Sequence, residues 1–312
     1  MKCVVTGAAG FIGSHLAESL VRDGHDVVGV DCFTDYYARE AKERNLARLR
    51  DERRFRLVEA RLQELDLAPV LDGAERVFHL AAQAGVRASW GREFAHYTDH
   101  NVLATQRLLE AALAARTPRL VYASSSSVYG DAPDLPLRED AVCRPLSPYG
   151  VTKLAAEHLA RLYHRNHGLA TVSLRFFTVY GPRQRPDMAF HRFLAAARDG
   201  RARTVYGDGL QTRDFTYIDD IVSATRAAAL SGQPGSVYNV GGGVRVALLD
   251  VLRLIEQVTA RRLQVDRDDA QKGDMRDTFA DTGAAARDLG FRSTVPLAEG
   301  LAREWAWLLG AR

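Results

Sequence analysis

A short apolar run, Lys2-Cys3-Val4-Val5, passes directly into Thr6-Gly7-Ala8-Ala9-Gly10-Phe11-Ile12-Gly13, and that order leaves few folds open. Glycines three apart behind a buried strand permit a tight turn, close approach of backbone N–H groups to a pyrophosphate, and close packing of the helix that follows. That helix is expected to run to about Arg22. A second strand, 26–30, ends on Asp31, whose carboxylate can accept both hydrogen bonds of an adenosine ribose diol. A 2′-phosphate there would meet charge repulsion, so NAD is expected rather than NADP. Gly7, Gly10, Phe11, Ile12, Gly13 and Asp31 are the first cofactor candidates. Leu80, Ala81, Ala82 and Gln83, in a run of small residues, are expected to pack along the dinucleotide.

The rest of the chain repeats the strand–helix alternation. Strand-like runs at 55–58, 77–80, 120–123 and 171–176 are separated by helical stretches at 38–50, 93–114 and 149–166. Alternation of this kind predicts an α/β fold with a doubly wound, Rossmann-type parallel sheet whose site lies at the carboxyl edge of the strands. After residue 178 the pattern becomes irregular. We therefore expect an NAD-binding domain over 1–177, with segments at about 215–242 returning to its sheet. Residues 178–214 and 243–312 would form a smaller, discontinuous C-terminal substrate lobe.

Composition narrows the partners. A net charge of +3 spread over 312 residues gives no basic patch for nucleic acid or an anionic membrane surface. No apolar run approaches a membrane span, the first strand starts at Lys2, and the three cysteines are scattered. A cytoplasmic protein is expected. The nine histidines form no metal-ligand cluster, and His15, His79 and His158 read as packing residues.

Tyr149 and Lys153 lie four apart, on one face of a helix. A free phenol titrates at about pH 10, too high for a base at neutral pH. A lysine cation and a positively charged nicotinamide beside it would pull that value down. Upstream, the strand 119–123 leads into Ser124-Ser125-Ser126-Ser127-Val128-Tyr129-Gly130 at the same sheet edge.

With Gly7-x-x-Gly10-x-x-Gly13, the serine run and Tyr149-x-x-x-Lys153, the chain resembles the extended short-chain dehydrogenase/reductases, and among them the NAD-dependent nucleotide-sugar epimerases and dehydratases. The resemblance spans essentially the whole chain. It implies Tyr149 as catalytic base and acid, Lys153 on the nicotinamide ribose, and Ser125 as the hydroxyl donor, three residues before Val128. Dehydrating relatives carry Asp-Glu where this chain has Ser126 and Ser127, and decarboxylating ones a Glu at Ser127. Serine lacks the acidity to protonate a departing hydroxide, so a 4-epimerase is what remains; Ser126 and Ser127 would bind sugar hydroxyls.

The segment from Arg175 to Ala189, with Thr178, Arg183, Arg185, Pro186, Asp187 and Met188, resembles the UDP-glucuronate 4-epimerase version of this loop. Thr178 is then expected near sugar C6. Arg185, or Arg183 in second place, would pair with a C6 carboxylate through the planar guanidinium. Two further segments resemble the family's diphosphate-binding motifs and place Arg213 and Arg276 on the UDP phosphates. Asn101 positions either a sheet-edge loop or substrate. Arg61 stands where the family usually has the Asp that meets adenine, so adenine would stack on the guanidinium or be held by backbone. The helices around 93–114 and 149–166 resemble those that pair across the family's homodimer. A UDP-glucose or UDP-N-acetylglucosamine 4-epimerase stays open as an alternative, and so does a catalytically silent NAD-binding regulatory protein.

Overall fold

The computed structural model describes residues 1–269 and 271–310. The strands, in chain order, are β1 Lys2–Thr6, β2 Asp26–Asp31, β3 Phe55–Glu59, β4 Arg76–His79, β5 Leu120–Ser125, β6 Thr171–Phe176, β7 Thr178–Tyr180, β8 Arg203–Tyr206, β9 Thr212–Tyr217, β10 Val237–Val240, β11 Arg245–Ala247 and β12 Val265–Asp268. Seven of them make one sheet in the order β10-β6-β5-β4-β1-β2-β3. Every neighbouring pair in it is parallel. The order reverses between β1 and β4, and a crevice opens at such a switch point. The turn after β1 carries the glycines, and the turn after β4 carries Leu80–Gln83.

Parallel strands buried on both faces read as continuous apolar runs, and β1 shows why. Cys3 and Val5 pack on one face with the helices Phe11–Arg22 and Ile218–Ser231. Val4 packs on the other with the helix Ala104–Ala114. The helix Ile218–Ser231 leads into β10, which aligns Val237 with Ser173 of β6. The remaining strands form a three-stranded sheet, β11-β9-β7, and a pair, β12-β8. The helices Ala189–Asp199, Leu248–Thr259 and Leu297–Leu308 pack beside them. Their apolar side chains join the same core cluster as one face of the main sheet. Among the described residues no helix is long and apolar enough to cross a membrane.

Two helices differ from the sequence expectation. The stretch read as 38–50 is regular only over Arg39–Asn45. The one read as 93–114 is broken: a 3₁₀ turn Gly91–Glu93, a short helix Phe94–Tyr97, a π-helical turn Thr98–Leu103 and then Ala104–Ala114. Such a turn inserts one residue and marks functional regions. Here it turns Asn101 inward. Its Oδ1 accepts the Gln83 N–H at 2.7 Å, and its Nδ2 donates to Gln83 O at 3.0 Å and Thr152 Oγ1 at 2.9 Å. Asn101 therefore holds the loop after β4 against the helix that carries Tyr149.

Candidate active site

The glycine turn is packed against itself and its neighbour. Gly7 has φ +71° and donates its N–H to Val30 O at 2.7 Å. A Cβ on Gly7 would stand 2.8 Å from Ala81 N, and one on Gly13 only 2.0 Å from Gly7 O. Only glycine fits either position. Thr6 fixes the two turns together: its Oγ1 lies 2.8 Å from His79 Nδ1 and accepts the Leu80 and Ala81 N–H groups at 3.2 and 3.1 Å. Burial pushes His79 down to about 3, so it stays neutral, and its Nε2 meets Thr105 Oγ1 at 2.9 Å. At the end of β2 the two oxygens of Asp31 accept from Ala9 N (3.0 Å) and Phe33 N (2.9 Å). Those bonds aim the carboxylate along the cleft floor. The cradle fits an NAD-type dinucleotide: a glycine turn no side chain can enter, beside an oriented carboxylate.

Ser147 caps the helix Pro148–His167, its Oγ accepting the Gly150 N–H at 3.1 Å, with Pro148 in the first turn. A Cβ on Gly150 would sit 2.5 Å from Ser127 O. Glycine at that position lets the helix lie directly on the serine loop, bringing Tyr149 to the end of β5. There Ser125 Oγ accepts the Ser127 N–H at 3.1 Å, opening the 3₁₀ turn Ser126–Val128. Lys153 is buried, with Nζ 4.7 Å from the centre of the Tyr122 ring. Burial pushes the Lys153 ammonium down to about 7, opposed by the negative charge of Glu157.

The phenol departs from the sequence expectation. Burial raises Tyr149, while the Ser125 hydroxyl and the more distant Arg185 cation pull it down. Lys153 is not among the groups that lower it. The lysine reaches toward Tyr122 and its own charge is weakened by burial, so desolvation of the phenol wins within the protein itself.

A cleft of about 430 Å³ joins these elements. It is lined by the cofactor candidates Gly7, Gly10, Phe11, Ile12, Gly13, Asp31, Leu80, Ala81, Ala82 and Gln83. Ser125, Ser126, Ser127, Tyr149, Lys153, Thr178, Arg185 and Arg213 line it too. Arg213 spends Nη1 on two backbone carbonyls, Thr212 O at 2.9 Å and Arg276 O at 3.1 Å. Burial pushes its guanidinium down, opposed by the negative charges of Asp274, Asp277 and Asp131.

Two candidates do not reach the cleft. Arg183, at φ +68°, turns back to the glycine-loop helix, donating to Ser14 Oγ at 3.2 Å and Glu18 Oε1 at 2.6 Å. Of these two loop arginines, Arg185 is the one that lines the cleft. Arg276 forks onto Asp208 with two 2.9 Å bonds at the surface, and what it gives the site is its carbonyl, bonded to Arg213. Arg61 is likewise engaged, by Asp99 and by Glu64 at 3.3 Å, outside the cleft lining. Stacking of adenine on that guanidinium finds no support in this arrangement.

Three residues at the site escaped the sequence reading. Lys42, on the helix Arg39–Asn45, is buried in the cleft wall, donates to Thr34 Oγ1 at 3.2 Å and lies 4.8 Å from the centre of the Tyr37 ring. Glu157 is fully buried one turn beyond Lys153. It takes Arg175 in a bidentate pair (2.7 and 3.0 Å) and accepts Ser124 Oγ–H at 2.7 Å, next to Ser125. Arg175 also donates to Tyr129 Oη at 2.7 Å. The signal was there: an arginine between Leu174 and Phe176 of a strand needs a buried partner. The third is Asp187, the ion-pair partner of Arg185.

A family model for the NAD dependent epimerase/dehydratase family matches residues 3–241. This chain belongs to that family. It is 45% identical over 312 residues to a Bacillus subtilis protein described as an uncharacterized UDP-glucose epimerase, YtcB, covering 99% of this chain and 98% of the relative. The Bacillus cereus UDP-glucuronic acid 4-epimerase, solved with UDP-glucuronic acid and NAD, superposes with a TM-score of 0.97 at 41% identity over the full length of both chains. MoeE5 matches at 43% identity, with TM-scores of 0.91 for its complex with UDP-glucuronic acid and NAD and 0.89 for that with UDP-glucose and NAD; the match covers 100% of this chain, and 100% and 99% of those chains.

Proposed function

We propose that this chain is a UDP-glucuronate 4-epimerase, interconverting UDP-glucuronate and UDP-galacturonate. The observation that carries the reading is the cleft itself. Tyr149, Ser125 and the glycine cradle share it with two arginines, Arg185 and Arg213, and the serine loop offers no carboxylic acid. Gly7, Gly10, Phe11, Ile12 and Gly13 would hold the pyrophosphate of NAD, Asp31 a ribose diol, and Leu80–Gln83 the face of the dinucleotide. Held there, NAD supplies a hydride acceptor and donor for sugar C4, and a positive ring charge beside the phenol.

The chain's own residues do the rest. Tyr149 takes the proton from O4 and returns it, with Ser125 hydrogen-bonding the same oxygen. Lys153 would bind the nicotinamide ribose, while the Ser125 hydroxyl and the Arg185 charge favour the phenolate as the proton leaves. Ser126, Ser127 and Thr178 hold the ring's hydroxyls and C6 in either orientation. Arg185 takes the carboxylate. A C4 ketone of a uronate is a β-keto acid and loses CO₂ when the carboxylate bond stands perpendicular to the carbonyl, so a guanidinium that holds the carboxylate out of that alignment protects the product. Arg213 receives the diphosphate, oriented by the Arg276 carbonyl.

The domain reading follows: the seven-stranded part carries NAD and the C-terminal segments carry the nucleotide sugar. A homodimer is part of the proposal, supported by exposed Phe94, Leu103, Val151 and Leu162 on the two packed helical segments. A cytoplasmic location agrees with three free cysteines. A second reading, a 4-epimerase for UDP-glucose, is favoured by the B. subtilis relative's description and by the UDP-glucose complex of MoeE5.

NMR analysis of purified protein with UDP-glucuronate tests the proposal. UDP-galacturonate should appear without net NADH. Tyr149→Phe should slow the reaction by roughly 10²-fold or more, as loss of a general acid–base does. Turnover by the Phe variant at the parental rate, or no turnover of UDP-glucuronate by the parent, overturns it.

A further inference from the structure

Arg185 does not face the cleft as a free cation. Its Nε and Nη2 each lie 3.0 Å from an oxygen of Asp187, so one full edge of the guanidinium is taken by a carboxylate of the chain itself. Asp187 is held in turn by the Tyr36 hydroxyl, which donates to Oδ2 at 3.2 Å from the loop after β2, and the Arg185 guanidinium lies 5.9 Å from the centre of the Tyr36 ring. Among the described residues Nη1 of Arg185 makes no hydrogen bond. The end-on edge, Nη1 with the second proton of Nη2, remains for a ligand. Burial pushes the Asp187 carboxyl up, but the charge and hydrogen bonds of Arg185 outweigh this and hold it below the ordinary carboxylate range.

We propose that Asp187 sets the enzyme's preference between acidic and neutral UDP-sugars, by acting as the resident counter-charge of Arg185. The inference rests on the reading of Arg185 as the carboxylate-binding group. When the sugar carries a C6 hydroxymethyl group, Arg185 keeps its charge partner and no uncompensated cation is closed inside the cleft. When the sugar carries a C6 carboxylate, that carboxylate takes the free edge and shares one guanidinium with Asp187. Two carboxylates on one cation repel each other, which weakens binding of the acid. Both effects act in one direction: Asp187 narrows the gap between UDP-glucuronate and UDP-glucose. Tyr36 is the positioning residue that fixes the Asp187 carboxylate on the side edge of the fork.

Asp187→Asn removes the charge at nearly constant shape. The measured quantities are kcat/KM and KM for UDP-glucuronate, and the inhibition constant of UDP-glucose against it, on holoenzyme whose NAD content matches the parent. We expect the ratio of the UDP-glucose inhibition constant to the UDP-glucuronate KM to rise about tenfold, the size of one partly screened charge interaction. Asp187→Ser, which keeps a hydroxyl for Tyr36, should raise it in the same sense and guards against a poorly folded carboxamide. A ratio that stays at the parental value in both variants, or moves toward the neutral sugar, overturns the inference. A parent that does not turn over UDP-glucuronate at all refutes the epimerase reading instead.

Discussion

Glu157 joins the catalytic helix to the sheet, and Glu157→Gln isolates what it contributes. The Glu157 and Arg175 side chains are 0% and 4% exposed. The substitution leaves a guanidinium deep in the protein with only Tyr129 Oη and the Glu139 carbonyl as acceptors besides the new amide. Removing one partner of a buried pair costs roughly 3–5 kcal/mol. For 312 residues, an unfolding entropy of about 2.1 cal/mol/K per residue converts that into a fall of roughly 5–8 °C in Tm. Calorimetry at neutral pH measures it. The double variant Glu157→Leu with Arg175→Met should melt higher than the single one, since an apolar pair no longer strands a charge. The rate profile carries a second signature. Lys153 stands at about 7, held up there by Glu157. Without that negative charge its deprotonation moves to lower pH, and the limb where rate falls as the ammonium is lost follows. A single variant melting within about 1 °C of the parent, with an unmoved pH profile, refutes the reasoning.

Two further predictions follow from the site geometry. Gly13→Ala drives a methyl group to 2.0 Å from Gly7 O, so the purified variant should lose its NAD by at least about tenfold in affinity, read as dinucleotide released on denaturation; parental NAD content would contradict the cradle. His79 is neutral in the fold, titrating at about 3 against an ordinary value near 6.5, so the unfolded chain takes the proton first. Its contribution is full above that ordinary value and is lost as pH falls toward the folded one. Between pH 7 and 5 this amounts to about 2 kcal/mol, and His79→Asn should show a correspondingly smaller drop in stability across that interval; an equal drop in both proteins rules it out.

What could be read from the sequence was local. The glycine turn, the Asp31 strand end, the Tyr149–Lys153 helical spacing and the serine loop are each fixed within a few residues, and each lies where its pattern places it. What could not be read depends on contacts far along the chain. Arg183 and Arg185 are two residues apart and chemically equivalent on paper. A positive φ at Arg183 and a carboxylate at Glu18 send one to the glycine-loop helix and leave the other in the cleft. Arg276 looked like a phosphate ligand until Asp208 occupied its fork. The π turn is set by an amide bonding to a loop 18 residues earlier, which no periodicity reports. The upward push on Tyr149 comes from burial, a quantity the spacing of two side chains does not contain.

The Arg183 clasp bears on redesign. Arg183 pairs with Glu18, both largely enclosed, while His15 Nε2 meets Pro182 O at 2.9 Å. The stretch proposed to discriminate between sugars is thus bolted to the first helix rather than hung as an exchangeable module. Transplanting a stretch that lacks an arginine at position 183 would strand Glu18 without its cation, beside the glycine turn. Swaps confined to 178–187 would therefore disturb cofactor retention together with sugar preference, and recruiting new sugars calls for remodelling Ser14, His15 and Glu18 in the same step.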